Sequence, residues 1–378
     1  MKIDITQEPL IGVRYLLMEH KNILIMAGGT GGHVYPAIAV AENLKLKGFK
    51  LFWLGTNHGL EKKIVPNHGY PLFKISIVPI RGKGFLRLLS APFLLIVSLF
   101  QALIIIIKIR PVVVLGMGGF VSGPGGIAAW LMRIPLLIHE QNSIAGLTNK
   151  LLAPFASSIM TAFPKVFKKS NKVIVTGNPT REDIRGIPEP EKRYVNRESK
   201  SLKVLVLGGS LGAEKLNKIV PETLRDFDSN YIVRVKHQCG ERHYVSTQKK
   251  YKNYNICAEV FPFIEDMVSA YIWADIVICR AGASTISELM ACGIASILIP
   301  FPFAVDDHQA KNAEYLATNG AAVLIEEQRL NTNQLKQILL DFFNTPELLI
   351  QMAIKARKLS TLDAADSVAK LCAEASYA

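Results

Sequence analysis

The chain has 378 residues, enough for two domains with separate cores. Hydrophobic residues make up 49% and charged residues 20%, which excludes a disordered or low-complexity protein. A formal net charge of +13 favours anionic partners (nucleic acid, anionic lipid or a phosphorylated substrate) without choosing among them.

From Asn22 onward the chain alternates short apolar runs with helix-length segments, the pattern of parallel sheets with crossover helices. The first run, 22–27, enters Gly28-Gly29-Thr30-Gly31-Gly32-His33. A glycine turn between a buried strand and a helix leaves backbone N–H groups facing open space, where the helix dipole favours negative charge. His33 falls at the start of the following helix, which disfavours its imidazolium and suits it to accept a proton. No leader sequence is read before Asn22.

A strand is expected at 50–54. Arg81, Lys83 and Arg87 then alternate with apolar residues including Phe85, a pattern suited to an anionic membrane surface. The stretch Ala91 to Ile107 is almost wholly apolar. As a helix it spans roughly 26 Å, short of a bilayer core of about 30 Å. Ser98, Gln101 and Lys108 share one stripe, so the expectation is a buried crossover helix with a wet side.

Strands at 112–115, 135–139, 158–161 and 173–176 complete the first half. The first of these leads into the glycine-rich wall Gly116 to Gly126, suited to close approach by a bulky ligand. The second ends in His139-Glu140-Gln141-Asn142, whose polar side chains emerge at the strand end and make Glu140 a second candidate base.

The second half repeats the plan, with strands expected at 203–207, 231–235, 255–258, 276–279, 295–299 and 322–325. Val204 to Leu207 enters a second glycine turn, Gly208-Gly209-Ser210-Leu211-Gly212-Ala213. Gly282, Ser284 and Thr285 present N–H and O–H donors at a helix start, which suits a diphosphate. Glu288, one helical turn beyond Ser284, is placed either to accept both hydroxyls of a ribose or to cap the helix.

Several chemistries are excluded. Val34 stands where a dinucleotide fingerprint needs its third glycine, and no Walker A motif occurs. No Cys/His cluster or HExxH sequence marks a metal site, and Asp226-Phe-Asp228 lies at a charged helix end rather than after a buried strand. Five cysteines without a C-x-x-C pair read as free thiols of a reducing compartment.

Six segments in order carry a resemblance: Gly28 to His33, Met117 to Gly126, His139 to Asn142, Thr176 to Pro179, Gly208 to Ser210 and Arg280 to Glu288. Together they resemble the MurG family of peptidoglycan N-acetylglucosaminyltransferases, within glycosyltransferase family 28. The resemblance implies an α/β chain of the GT-B class, two Rossmann-like parallel-sheet domains facing across a cleft. It implies an acceptor domain over 1–178, joined by the C-terminal helix 355–378, and a donor domain over 179–354. The implied reaction is inverting transfer from UDP-N-acetylglucosamine to the muramoyl 4-hydroxyl of a polyprenyl-linked acceptor (lipid I), giving lipid II. Neither cofactor nor bound metal is implied.

By position, the family's donor contacts fall on Thr30, Gly31, Gly32, Asn142, Arg181, Ser210, Ile264, Ala283, Ser284, Thr285, Ile286, Ser287, Glu288 and Gln309. Glu288 would hold the ribose, Ser210 and the 283–285 turn the diphosphate, the Ile264 backbone the uracil, and Gln309 the sugar hydroxyls. His33 or Glu140 would serve as general base. The implied location is the cytoplasmic face of the bacterial inner membrane, as a peripheral protein held through Arg81, Lys83, Phe85 and Arg87. Two rivals stand beside this reading. A soluble UDP-N-acetylglucosamine 2-epimerase has the same fold but no use for the basic patch. A nucleic-acid binder would show aromatics interleaved with basic residues, and no such array occurs, so no nucleic-acid partner is expected.

Overall fold

The computed structural model describes residues 21–77, 85–194, 201–228 and 230–377, and side chains within these except 85–91 and 305. Its strands form two sheets. The seven-stranded sheet has the order β3-β2-β1-β4-β5-β6-β7. Its members are β1 (Asn22–Met26), β2 (Lys50–Gly55), β3 (Leu72–Lys74), β4 (Val113–Gly116), β5 (Leu136–Glu140), β6 (Ser158–Thr161) and β7 (Val173–Val175). Here β1 pairs in parallel with β2 and β4, β2 with β3, and β4 with β5.

The six-stranded sheet has the order β10-β9-β8-β11-β12-β13. It contains β8 (Ser201–Leu207), β9 (Ile232–Gln238), β10 (Ala258–Phe261), β11 (Ile276–Cys279), β12 (Ala295–Leu298) and β13 (Val323–Leu324). Every pairing in it is parallel. The central strands β1 and β11 have no solvent exposure beyond their first residues, because crossover helices cover both faces of a parallel sheet. Each fully buried Ile, Leu or Val there contributes about 1.5–3 kcal/mol.

The described residues pack as two compact units. One takes the chain up to His139 with Thr148–Ile159 and Asp366–Ala378. The other takes Glu140–Leu147 and Met160–Ala365. Within the first, the closing helix Ala364–Ala375 is tied by a Lys47–Asp366 ion pair (2.9 Å), and Lys21 donates to the Ser376 carbonyl.

Four helices of the first unit matter below: α1 (Gly31–Leu46), α2 (Glu61–Asn67), α3 (Phe85–Ile109) and α4 (Ser122–Leu131). The apolar stretch forms α3, the crossover into β4; of its expected wet stripe Lys108 is exposed and Gln101 half-buried, but Ser98 is not exposed. Ser98 is fully buried with Ala102, Ile106 and Ile109, while Phe93, Ile96, Phe100, Ile104 and Ile107 face outward. Small residues at 98 and 102 let the helix sit close to its neighbour, and the large apolar side chains are displaced to the outside. Gln101 is occupied as well, accepting from the Ser76 N–H (2.7 Å). Residues Arg81 and Lys83 and the side chains of Phe85 and Arg87 lie outside the described set.

Candidate functional site

In the first unit, β1 ends at the glycine turn and Thr30 takes the N-cap of α1, its side chain making no capping hydrogen bond. Gly31 and Gly32 therefore open the helix with N–H groups that have no intrahelical acceptor. His33 sits in the first turn, its backbone N–H on the Thr30 carbonyl, and its ring is half-buried. That ring lies against the glycine wall: a Cβ at Gly118 would stand 2.6 Å from His33 Cδ2 and 2.9 Å from Nε2. A Cβ at Gly119 would stand 2.4 Å from the Gly28 carbonyl oxygen. At these two positions the wall admits the protein's own histidine and turn, not the bulky ligand expected from sequence.

In the second unit, α5 (Glu214–Arg225) follows the second glycine turn, and Ser210 is exposed on that turn. The helix α6 (Ala283–Cys292) begins at Gly282, which holds the N-cap without a side chain. Ser284 and Thr285 lie in its first turn, and Ser284 Oγ is buried with no hydrogen-bond partner. A buried hydroxyl left over at a helix N-terminus is a donor awaiting an acceptor, and the N–H groups of Ala283, Ser284 and Thr285 in the same turn have no intrahelical acceptor.

Glu288 stands one turn along. Tyr271 O–H donates to its Oε2 (2.9 Å) and Arg181 Nη2 lies 3.6 Å from its Oε1. Burial raises its pKa above the usual carboxylate value, while Arg181 and the Tyr271 hydrogen bond pull the other way. Gly282 is the cap and Glu288 contacts Tyr271 and Arg181, so the capping-box alternative is excluded.

Two neighbours in the expected donor segment face inward. Ile286 is fully buried in the core with Leu205, Val277 and Leu289. Ser287 Oγ donates to the Ala283 carbonyl (2.9 Å) and accepts from Asn178 Nδ2 (3.0 Å). Both side chains are thus engaged within the protein. Ile264 spends its N–H on Gln238 Oε1 (2.9 Å), which leaves its carbonyl as the backbone group for a base. Gln309, near the start of α7 (His308–Thr318), accepts from the Phe301 N–H through Oε1 (3.0 Å).

The loop after β5 packs with the second unit. Glu140 accepts from the N–H groups of Asn142 (3.1 Å) and Gly146 (2.9 Å), one on each oxygen, and so braces its own loop. Asn142 Oδ1 accepts from Asn312 Nδ2 (3.2 Å), which also reaches the Ala281 carbonyl (3.2 Å). Asn312 Oδ1 accepts from the Ser143 N–H (2.9 Å). This fully buried asparagine joins the Asn142 loop to the turn before α6, and sequence reading missed it. An isolated Asn inside a helix gives no periodic or spacing signal. Arg280 is structural: Nη1 donates to the Ile299 and Pro300 carbonyls and its guanidinium pairs with Glu327.

Two parallel α/β sheets, with a helix start that presents free N–H donors beside a buried carboxylate, define a chain of the GT-B class. The glycosyltransferase family 28 N-terminal domain model matches residues 23–161, and its C-terminal domain model matches 203–368. A Nitrosococcus oceani protein, UDP-N-acetylglucosamine--N-acetylmuramyl-(pentapeptide) pyrophosphoryl-undecaprenol N-acetylglucosamine transferase, is 49% identical over 352 residues. The match covers 93% of this chain and 98% of that one. The transferase of the same description from Azotobacter vinelandii is also 49% identical, over 358 residues, covering 93% and 98% of the two chains.

Among solved structures, Acinetobacter baumannii MurG superposes with a TM-score of 0.82 at 38% identity, covering 94% of this chain and 99% of that one. A UDP-N-acetylglucosamine 2-epimerase shares the fold alone, at TM-score 0.65 and 13% identity, covering 95% of this chain and 98% of that one. This chain belongs to glycosyltransferase family 28.

Proposed function

We propose that the protein transfers N-acetylglucosamine from UDP-N-acetylglucosamine to the muramoyl 4-hydroxyl of undecaprenyl-pyrophosphoryl-MurNAc-pentapeptide, giving lipid II with inversion at the anomeric carbon. The observation that carries this is the α6 start, where Ser284 Oγ lacks a partner and Glu288 is held by Tyr271 and Arg181. It occurs in a chain about half identical to transferases described by that reaction.

In this reading residues 179–354 hold the donor. The free N–H groups of α6 and Ser284 offset the charge that grows on the departing diphosphate, and fixed donors serve this without reorganising. Glu288 takes the ribose hydroxyls, and the Ile264 carbonyl and Gln309 Nε2 contact base and sugar. Residues 1–178, with 355–378, take the acceptor. His33 removes the proton from the attacking hydroxyl, and such help is worth roughly 10²–10⁴-fold. His33 is favoured over Glu140 because both Glu140 oxygens already accept loop N–H groups.

The outward face of α3 supports a peripheral place on the cytoplasmic face of the inner membrane. Pro92–Ile109 is long and apolar enough by composition to cross a bilayer, with mean hydropathy 2.4, yet 22% of it is buried against the protein. A helix seated on one side and apolar on the other lies on a membrane, and Lys108 and Arg110 stand exposed at its end.

The deciding experiment supplies labelled UDP-N-acetylglucosamine with and without a lipid I analogue. Label in a disaccharide lipid only when the acceptor is present supports transfer. N-acetylmannosamine formed from the donor alone is the epimerase outcome and overturns it.

A further inference from the structure

A carboxylate outside the roles given above holds the first glycine turn. Glu61 opens α2 and is fully buried. Its Oε2 accepts from the Gly29 N–H (2.9 Å), and its Oε1 accepts from the Thr56 N–H (2.9 Å) and hydroxyl (2.7 Å). In return the Leu60 N–H donates to the Gly29 carbonyl (3.3 Å), so Gly29 is gripped on both sides by the start of α2.

Three glycines make the socket. A Cβ at Gly59 would stand 1.9 Å from Glu61 Oε2, one at Gly28 2.8 Å from Oε1, and one at Gly55 2.7 Å from Cγ. Part of the glycine content that reads in sequence as a ligand cradle therefore accommodates an internal carboxylate.

No Lys, Arg or His forms an ion pair with Glu61 among the described residues. Burying a carboxylate without a cation is costly, and three donors plus the N-terminus of its own helix offset that cost. Packing alone would be met by an apolar side chain of the same size. The charged group is instead directed at the amide of Gly29, a residue with φ +91°, immediately before Thr30 caps α1. His33 lies in the first turn of that helix, so the direction of its ring follows from the turn.

We infer that Glu61 is a positioning residue for the transfer reaction: by gripping Gly29 it sets the launch of α1 and holds the His33 imidazole on Gly118. This rests on the reading of His33 as general base. Misplacing a reacting group by about 1 Å can cost on the order of 10²-fold.

The test is a double-mutant cycle on the full chain, reading kcat with a lipid I analogue and UDP affinity by calorimetry. Glu61→Gln keeps the shape but turns one accepting oxygen into a donor facing an N–H or O–H. The expected result is a fall in kcat of about 10- to 100-fold, with UDP affinity within about twofold of wild type. In a His33→Ala background the same change should cost less than about threefold, because the group it positions is gone.

Gly59→Ala is the second variant, since its methyl displaces Oε2 from Gly29 without removing the charge. It should reproduce the pattern, and it carries the comparison if Glu61→Gln does not fold. Equal losses in the presence and absence of His33, or wild-type kcat in a folded variant, overturn the inference and leave the base reading standing. Wild-type kcat in His33→Ala alone overturns the base reading, and the inference with it.

Discussion

The two glycine turns look alike in sequence but are supported by different chemistry. The first is gripped by a buried carboxylate, Glu61, accepting from Gly29. The second rests on a neutral relay. Tyr251 O–H donates to His237 Nδ1 (2.8 Å), His237 Nε2–H to Asn217 Oδ1 (2.9 Å), and Asn217 Nδ2 to the Cys239 carbonyl (3.0 Å). Asn217 Oδ1 can only accept, so the direction of this chain is fixed. The Cys239 oxygen lies where a Gly212 side chain would begin, 1.9 Å from its ideal Cβ. A repeated motif therefore defines a repeated backbone path, and the material beneath each copy is chosen separately. The first turn launches the helix that carries His33, while the second leaves Ser210 exposed.

The largest effect that separates the two halves is expected at His33. Replacement by Ala should lower kcat by roughly 10²–10⁴-fold while UDP affinity stays within about twofold. Steady-state kinetics beside calorimetry reads the split.

Next comes the second turn. Gly212→Ala meets the Cys239 oxygen and a φ of +80°, so denaturant melts should show a loss of about 3 kcal/mol or more. Gly209→Ala has a φ of +81° but open space, and should cost only about 1 kcal/mol. Equal losses would mean that backbone strain, not the relay beneath, limits the turn.

Glu288→Ala should weaken UDP binding about 10- to 100-fold, as loss of hydrogen bonds to a charged group implies. Because burial raises the Glu288 pKa, UDP binding to the native protein should begin to weaken on acidification at a higher pH than an ordinary carboxylate dictates. Calorimetry from pH 7 to 5 with both proteins checks this, and an identical pH dependence in the variant removes Glu288 from the site.

The relay carries its own pH signature. Burial, with a smaller contribution from Lys250, lowers the His237 pKa from 6.5 to about 3. The unfolded chain then binds a proton between those values and the native protein does not. The contribution is fully present above pH 6.5 and declines by about 1.4 kcal/mol per pH unit as pH falls toward 3. Denaturant melts of wild type and His237→Gln at pH 7 and 5 isolate it, and parallel changes in both would contradict it.

The smallest expected effect concerns the outer face of α3. Phe93→Ser with Phe100→Ser should lower flotation with anionic vesicles several-fold and leave UDP affinity unchanged. Undiminished flotation would detach α3 from the membrane reading.

Most of the sheet plan was legible because parallel strands buried on both faces read as short apolar runs, and β1, β4 and β11 stand within a residue of expectation. Leu72–Lys74 escaped because three residues carry no periodicity. Ser98 falls on the buried side of α3, against expectation, because hydropathy ranks it as wet whereas close packing selects it for size. Glu288 and the 283–285 turn were legible as a helix start, but the inward turn of Ile286 and Ser287 needed the helix's rotation relative to the core. Glu61 and Asn312 were invisible for a related reason: their partners lie distant in sequence or on backbone atoms, which leave no composition signal. Gly55 and Gly59 flanking Glu61 were the trace that a close approach was needed.

The most direct test of the central claim is the linkage in the isolated product, read by NMR after incubating UDP-N-acetylglucosamine with a lipid I analogue. The account predicts N-acetylglucosamine joined to the muramoyl O4 with a β anomeric configuration, inverted from the donor. An α linkage, attachment at another oxygen, or no disaccharide at all would contradict it.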